Sequence, residues 1–413
     1  MEQSPTLQAH LALQNADADC AAVIEALADA ARELARQIAI APLAGFDEGA
    51  ATVNADGDVQ KALDIVADNL MRDALRKAPV AGILSEEVDR PETVNAAAPL
   101  CVAIDPLDGS SNLQNNISVG TIFSIRPRGR DVLSSFFEPG TAQRAAGFFV
   151  YGPQTCLVLA IDHRVDLYVL HPTLREFVLA RSGLRIPQDT PEFAINASNR
   201  RHWSGTVRNY VDECLAGAAG PRGRDFNMRW IASLVAEAYR ILMRGGVFLY
   251  PADSRPGYRE GRLRLVYEAH PMALIMEWAG GSASSGRSRI LELSARSPHQ
   301  RAPLIMGDVR LVRDVDQLHE GVEPLFETSD APLFARRGLF PLSGHRARLP
   351  EKVHVTSPSH HLDHRLVGSR HHLGQEDLRE HLPPRERQGR LYRGRCVSPL
   401  QPRRDAPQDG RGG

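Results

Sequence analysis

Between residues 17 and 38 the apolar side chains Val23, Leu27, Leu34 and Ile38 fall three, four or multiples of these apart, with alanines between them, which predicts one amphipathic helix. Pro42 and Gly45 break it. A second stripe, Leu63, Val66, Leu70 and Ala74, follows the polar stretch Asn54-Ala55-Asp56-Gly57-Asp58, where Asp58 is a candidate N-cap. Asp64 lies roughly a turn and a half into that helix, beside the stripe. The short apolar run Val80-Ala81-Gly82-Ile83-Leu84 reads as a strand that ends in Ser85-Glu86-Glu87. Another run, Cys101-Val102-Ala103-Ile104, stops in Asp105-Pro106-Leu107-Asp108-Gly109-Ser110-Ser111-Asn112. Two successive strands therefore end in carboxylates.

Further along, residues 155–161 and 165–170 alternate as a hairpin around Asp162-His163-Arg164, and Pro187 and Pro191 mark a domain boundary. Phe193-Ala194-Ile195-Asn196 opens the second domain. Helices are expected at 204–216 and 229–243, a buried strand at Gly246–Tyr250, and a strand over Gly261–Glu268 whose alternation again finishes in an acid. Pro271 starts a helix carrying Met272, Ile275 and Met276. The pattern is α/β, divided into 1–188, 189–343 and a tail at 344–413.

Sheets with helices on their faces collect ligands at strand carboxyl ends, so Glu86 and Glu87 are expected to meet Asp105 and Asp108 there. Hard oxygen donors without His or Cys nearby select magnesium or manganese over zinc. Gly109 lets the backbone approach a ligand, and Ser110 and Ser111 offer hydroxyls and amides suited to an anion. Cation and anion at one turn imply a metal-assisted phosphate site; the plainer alternative is an Asx turn punctuated by Asp108-Gly109. Four acids at two strand ends, with Asp58 and Asp64 upstream, would repel one another without bridging cations.

With 413 residues, 43% hydrophobic, the chain is long enough for two cored domains. A net charge of -1 argues against a nucleic-acid or membrane-surface partner. Five scattered cysteines form no C-x-x-C, which disfavours a disulfide framework or structural zinc and fits a reducing cytoplasm. No signal-peptide pattern and no apolar run approaching 18 residues is present. From His345 onward lie eight of the fifteen histidines, many Arg and Pro, and Tyr392 as the sole Phe, Trp or Tyr. No periodicity lasts there, so the tail reads as disordered, or as an out-of-frame extension.

The segments Gly57-Asp58, Lys61-Ala62-Leu63-Asp64, Ser85-Glu86-Glu87, Asp105 to Asn112 and Val119-Gly120-Thr121-Ile122-Phe123-Ser124-Ile125 resemble class I fructose-1,6-bisphosphatase from the first helix to about Phe340. Asp-Pro-Leu-Asp-Gly alone marks only the wider lithium-sensitive phosphatase superfamily. The resemblance implies a layered α-β-α-β-α sandwich, two sheets flanked by helices. It implies hydrolysis of fructose 1,6-bisphosphate, with sedoheptulose 1,7-bisphosphate a second candidate, by a cytoplasmic homotetramer using Mg2+ or Mn2+. On this resemblance Glu86, Asp105, the Leu107 carbonyl, Asp108 and Glu268 hold metal, and Asp58 sits near a further ion. Asp64, paired with Glu87, takes the proton of the attacking water. Asp108, Gly109, Ser110, Ser111, Asn196, Tyr250 and Arg262 contact substrate, while Arg229 reaches into a neighbouring subunit's site. The chain departs from the family in having Arg262 where Lys is common and Ala197-Ser198-Asn199 where Glu-Gly-Tyr is common. Ala96-Ala97-Ala98-Pro99-Leu100 replaces a basic-aromatic AMP segment, which argues against AMP inhibition. The rivals are an inositol or nucleotide phosphatase, and a catalytically silent sugar-phosphate-binding protein.

Overall fold

The helical spacing at the start of the chain produces α1 (Leu7–Leu13), α2 (Ala18–Ile40) and α3 (Ala62–Leu75). Asp17 caps α2 by accepting the Cys20 N–H at 2.9 Å, and Val23, Leu27 and Leu34 are fully buried on its inner face. This computed structural model describes residues 4–41, 43, 52–53, 59–60 and 62–320; the expectations for Asp58 and for the tail at 344–413 lie outside the described residues. Because α3 starts at Ala62, Asp64 stands in its first turn rather than a turn and a half in. A short antiparallel pair, β1 (Thr52–Val53) and β2 (Val59–Gln60), precedes α3.

Eight strands form the larger sheet: β3 (Val80–Ser85), β4 (Glu92–Thr93), β5 (Leu100–Asp108), β6 (Val119–Pro127), β7 (Ala145–Tyr151), β8 (Thr155–Ile161), β9 (Arg164–Leu170) and β10 (Phe177–Arg181). Their order is β10-β9-β8-β7-β6-β5-β3-β4, antiparallel except for the parallel pair β3 and β5. The expected hairpin is β8–β9, turned by Asp162 and His163 at φ 50° and 60°. Side chains alternate through β5: Leu100, Val102 and Ile104 join the core under α2 and α3, and Cys101 and Ala103 face the opposite core. The short α4 (Val132–Ser135) packs near β3.

The second sheet contains β11 (Glu192–Ala194), β12 (Asn227–Met228), β13 (Val247–Tyr250), β15 (Ser282–Ser284) and β17 (Leu304–Gly307) in the order β12-β11-β13-β17-β15. A further two-residue pair joins β14 (Leu263–Arg264) to β16 (Arg301–Ala302). Between the sheets lie α6 (Leu234–Arg244) and α7 (His270–Trp278), whose apolar residues share one core with both. On the far face α5 (Gly205–Leu215) and α8 (Val309–His319) cover Phe193, Val247 and Ile305. The layers therefore run α-β-α-β-α, as expected.

Two elements differ from expectation. The stretch 261–268 is a strand only at Leu263–Arg264; Leu265–Ala269 turns into a π-helix, so Glu268 stands on a helical turn. Helix α6 begins at Leu234, not 229, because Ala232 takes a left-handed φ of 62° and Ser233 caps the helix by accepting the Ala236 N–H. Among the described residues no helix is long and apolar enough to cross a membrane, and Cys20, Cys101, Cys156 and Cys214 are free and buried.

Gly120 shows how tightly the layers meet. It pairs with Asp108, and a Cβ there would lie 2.2 Å from the Phe149 carbonyl oxygen and 2.6 Å from Val235. Gly120→Ala is expected to destabilise the fold by about 1–3 kcal/mol, seen as a lowered urea midpoint at unchanged slope.

Candidate active site

The parallel register that sets Ser85 opposite Ile104 brings the carboxyl ends of β3 and β5 to the same edge. The Glu86 N–H continues that ladder by donating to the Ile104 carbonyl at 3.1 Å. Residues three apart on a regular strand face opposite ways. Between Asp105 and Asp108, however, β5 carries one more residue than its partner β6, and this bulge turns both acids toward one cavity. The Leu107 N–H donates to Asp105 Oδ1 at 3.0 Å, and Thr121 Oγ1 donates to the Pro106 carbonyl at 2.8 Å, locking the bulge.

Glu268 arrives from the opposite wall on its π turn, held by the Arg264 N–H. Ligand oxygens of Asp105, Asp108 and Glu268 lie within 4.8 Å of one another. Burial, reinforced by the neighbouring acids, holds Asp105 and Glu268 well above the ordinary carboxylate range. Burial also pushes Asp108 up to about 6, against the opposing pull of the Val235 N–H at 3.0 Å and the Ser233 hydroxyl at 3.3 Å. Three such carboxylates are comfortable together only when a cation or protons neutralise them, and an all-oxygen set suits a hard divalent ion. The donor set therefore fits the metal expected from the sequence.

The remaining acids close on the same space. Asp64, 3% exposed, lines the cavity with Glu86 and Glu87. One turn further along α3, Asp68 accepts from the Ser85 hydroxyl at 2.6 Å and from Arg72 at 2.9 Å, tying the helix to the end of β3. Arg264 lies 3.8 Å from Glu86.

About 420 Å3 of cavity runs from these acids past Leu107, Gly109, Ser110 and Ser111 to Asn196, Tyr250 and Arg262. Gly109 has a φ of 74°, which starts the short 3-10 turn Ser110–Asn115 without strain. Arg262 donates to the Tyr258 hydroxyl at 2.7 Å. Arg229 does not line the cavity of its own chain; half-exposed, it sits 3.6 Å from Glu192. Trp230, Ser233, Phe248 and Arg264 line the cavity and were not expected from sequence. Trp230 stacks on Phe248 with ring centroids 5.9 Å apart, and the Asn112 side chain donates to the Ala232 carbonyl at 2.8 Å, holding this loop against the Asp-Gly-Ser turn.

Residues 6–182 match the model of the fructose-1,6-bisphosphatase N-terminal domain, and residues 186–320 that of its C-terminal domain. The chain is an enzyme of the fructose-1,6-bisphosphatase family. Among relatives of this family, class 1 fructose-1,6-bisphosphatase of Bradyrhizobium sp. (strain ORS 278) is 94% identical over 335 residues, 81% of this chain and 94% of the relative. A class 1 fructose-1,6-bisphosphatase of Nitrobacter hamburgensis is 56% identical over 77% of this chain and 92% of its own. The holo crystal structure of Leishmania major fructose-1,6-bisphosphatase superimposes with a TM-score of 0.72 at 30% identity, covering 76% of this chain and 99% of that one.

Proposed function

We propose that the chain hydrolyses fructose 1,6-bisphosphate to fructose 6-phosphate and phosphate with Mg2+, as a cytoplasmic homotetramer, and that sedoheptulose 1,7-bisphosphate is a second substrate. The observation that carries this reading is the junction, in one cavity, of a cluster of buried carboxylates with the polar and cationic side chains Asn196, Tyr250 and Arg262. An acid cluster alone would serve any phosphatase of the superfamily. The second wall supplies the sugar-bisphosphate preference. In this reading residues 1–188 form the metal-binding and catalytic domain, which also seats the 1-phosphate, and 189–343 the sugar-phosphate-binding domain, which also contributes Glu268 to the acid cluster.

Phosphate monoesters hydrolyse extremely slowly unaided, so acceleration has to come from charge neutralisation, alignment and an activated water. Glu86, Asp105, the Leu107 carbonyl, Asp108 and Glu268 are the residues to hold Mg2+, or Mn2+. The bound metal supplies charge neutralisation at the phosphate and a more acidic water. Asp64, with Glu87 in the same wall, would accept the proton of the attacking water as the water oxygen bonds to phosphorus and the bond to the sugar oxygen breaks, the sugar oxygen taking up a proton from solvent to leave as a hydroxyl. Gly109, Ser110 and Ser111 seat the 1-phosphate, Asn196, Tyr250 and Arg262 the rest of the sugar bisphosphate, and Arg229 serves a neighbouring subunit.

Chelation with EDTA is expected to reduce phosphate release to background, and added Mg2+ to restore it; turnover undiminished by the chelator would refute the reading. Arg262→Ala is expected to raise KM about 10- to 100-fold, the worth of a charge-assisted hydrogen bond, with a smaller change in kcat, measured by steady-state kinetics.

A further inference from the structure

Beneath the π turn that carries Glu268, the guanidinium of Arg126 is wholly buried on β6. Burying a cation is costly unless it is paired, yet among the described residues no carboxylate lies within 4.0 Å of Arg126. Its contacts are with neutral acceptors: the Glu138 carbonyl at 3.0 Å, the Pro139 carbonyl at 3.5 Å and His270 Nδ1 at 2.7 Å. Its Nε has no hydrogen-bond partner among the described residues. His270 is also fully buried, and its backbone N–H donates to the Leu265 carbonyl, the bond that closes the π turn. An arginine can only donate and a carbonyl can only accept. Nδ1 therefore accepts from Arg126, and Nε2–H donates to the Leu293 carbonyl at 3.1 Å.

Other bonds converge on the same point. Gln143 donates to the His270 carbonyl at 3.0 Å and to the Gly140 carbonyl at 2.8 Å, and its own oxygen accepts from Ser124 at 2.7 Å. A Cβ on Gly140 would lie 2.7 Å from the His270 ring, so the backbone there is shaped to that ring. These contacts hold ring, carbonyl and amide of His270 together, two residues beyond Glu268.

We propose that Arg126 and His270 are positioning residues: through the closure of the Leu265–Ala269 turn they hold the Glu268 carboxylate in the acid cluster, and so set the affinity of that cluster for a divalent cation. The proposal rests on the metal-binding role given to Glu268 above. Outer partners of metal ligands change affinity by about 10- to 100-fold when lost.

The test is Mn2+ titration of the purified full-length chain, followed by electron paramagnetic resonance without substrate and accompanied by thermal melts. His270→Leu removes the acceptor for Arg126 and is expected to weaken Mn2+ binding by at least about 10-fold, to lower kcat and to leave KM for the bisphosphate within a factor of two. His270→Asn, which keeps an acceptor near the Nδ1 position, is expected to recover most of the affinity. Should His270→Leu not fold, Arg126→Gln and Gly140→Ala carry the same expectation, one by removing the charge and the other by displacing the ring. A folded variant with a lowered Tm and native Mn2+ affinity would assign the pair to stability alone and overturn the proposal. Failure of the wild-type chain to bind Mn2+ would instead remove the metal reading itself.

Discussion

Asp64→Asn is expected to lower kcat by about 10²- to 10⁴-fold, the range for loss of a positioned general base, while KM for fructose 1,6-bisphosphate and the thermal transition change little. Asp64 is nearly excluded from solvent in the first turn of α3, and the Asp68–Ser85 hydrogen bond one turn on secures that helix to the strand leading into Glu86 and Glu87. Asparagine preserves the volume and one acceptor oxygen but cannot take a proton at neutral pH. Glu87→Gln is expected to act in the same direction. Near-normal turnover in both variants would remove the assignment of the base to this pair.

Glu268→Gln is expected to produce two effects of opposite sign. Activity is expected to fall more than about 100-fold, because one charge of the acid cluster proposed to hold the cation is gone. The metal-free protein, in contrast, becomes at least as stable as the parent at neutral pH. Burial and the neighbouring acids hold the Glu268 carboxyl well above its unfolded range, so its ionised form opposes folding once the pH exceeds the ordinary carboxylate value, and the uncharged amide does not. Added Mg2+ should raise the parent's melting temperature and leave that of the variant nearly unchanged. Melts with and without Mg2+ check both parts; a metal-free variant much less stable than the parent, with its Mg2+ response intact, would contradict the role given to Glu268.

Local signals make part of this site readable. The change from apolar run to acids after Leu84 and Ile104 is contained within a few residues, and the parallel pairing of β3 and β5 does the rest. The bulge between Asp105 and Asp108 exists only in relation to the register of β6, so nothing in the β5 segment by itself announces it. Glu268 stands out in the sequence as an acid at the end of an apolar alternation, but the element it implies is the wrong one. Leu263, Leu265 and Tyr267 alternate with Arg262, Arg264 and Val266 as a strand would, and only packing against α7 and the His270-to-Leu265 bond reveals the π turn. Arg264 could have been found as the residue two after Arg262. Trp230 and Ser233 belong to a stretch with helical spacing, where the left-handed Ala232 redirects the chain. The layers are more accessible than the loops, since helical and strand periodicities survive averaging over many residues while a single reversed φ does not.

Phosphate release from fructose 1,6-bisphosphate, sedoheptulose 1,7-bisphosphate and inositol monophosphate, each assayed with and without Mg2+, tests the central claim most directly. The expected result is Mg2+-dependent turnover of fructose 1,6-bisphosphate, a measurable rate with the sedoheptulose ester and at least about 100-fold lower kcat/KM for the inositol ester, which cannot engage the Asn196, Tyr250 and Arg262 wall with a second phosphate. Preferential hydrolysis of inositol monophosphate, or release from none of the three with Mg2+ present, would contradict it.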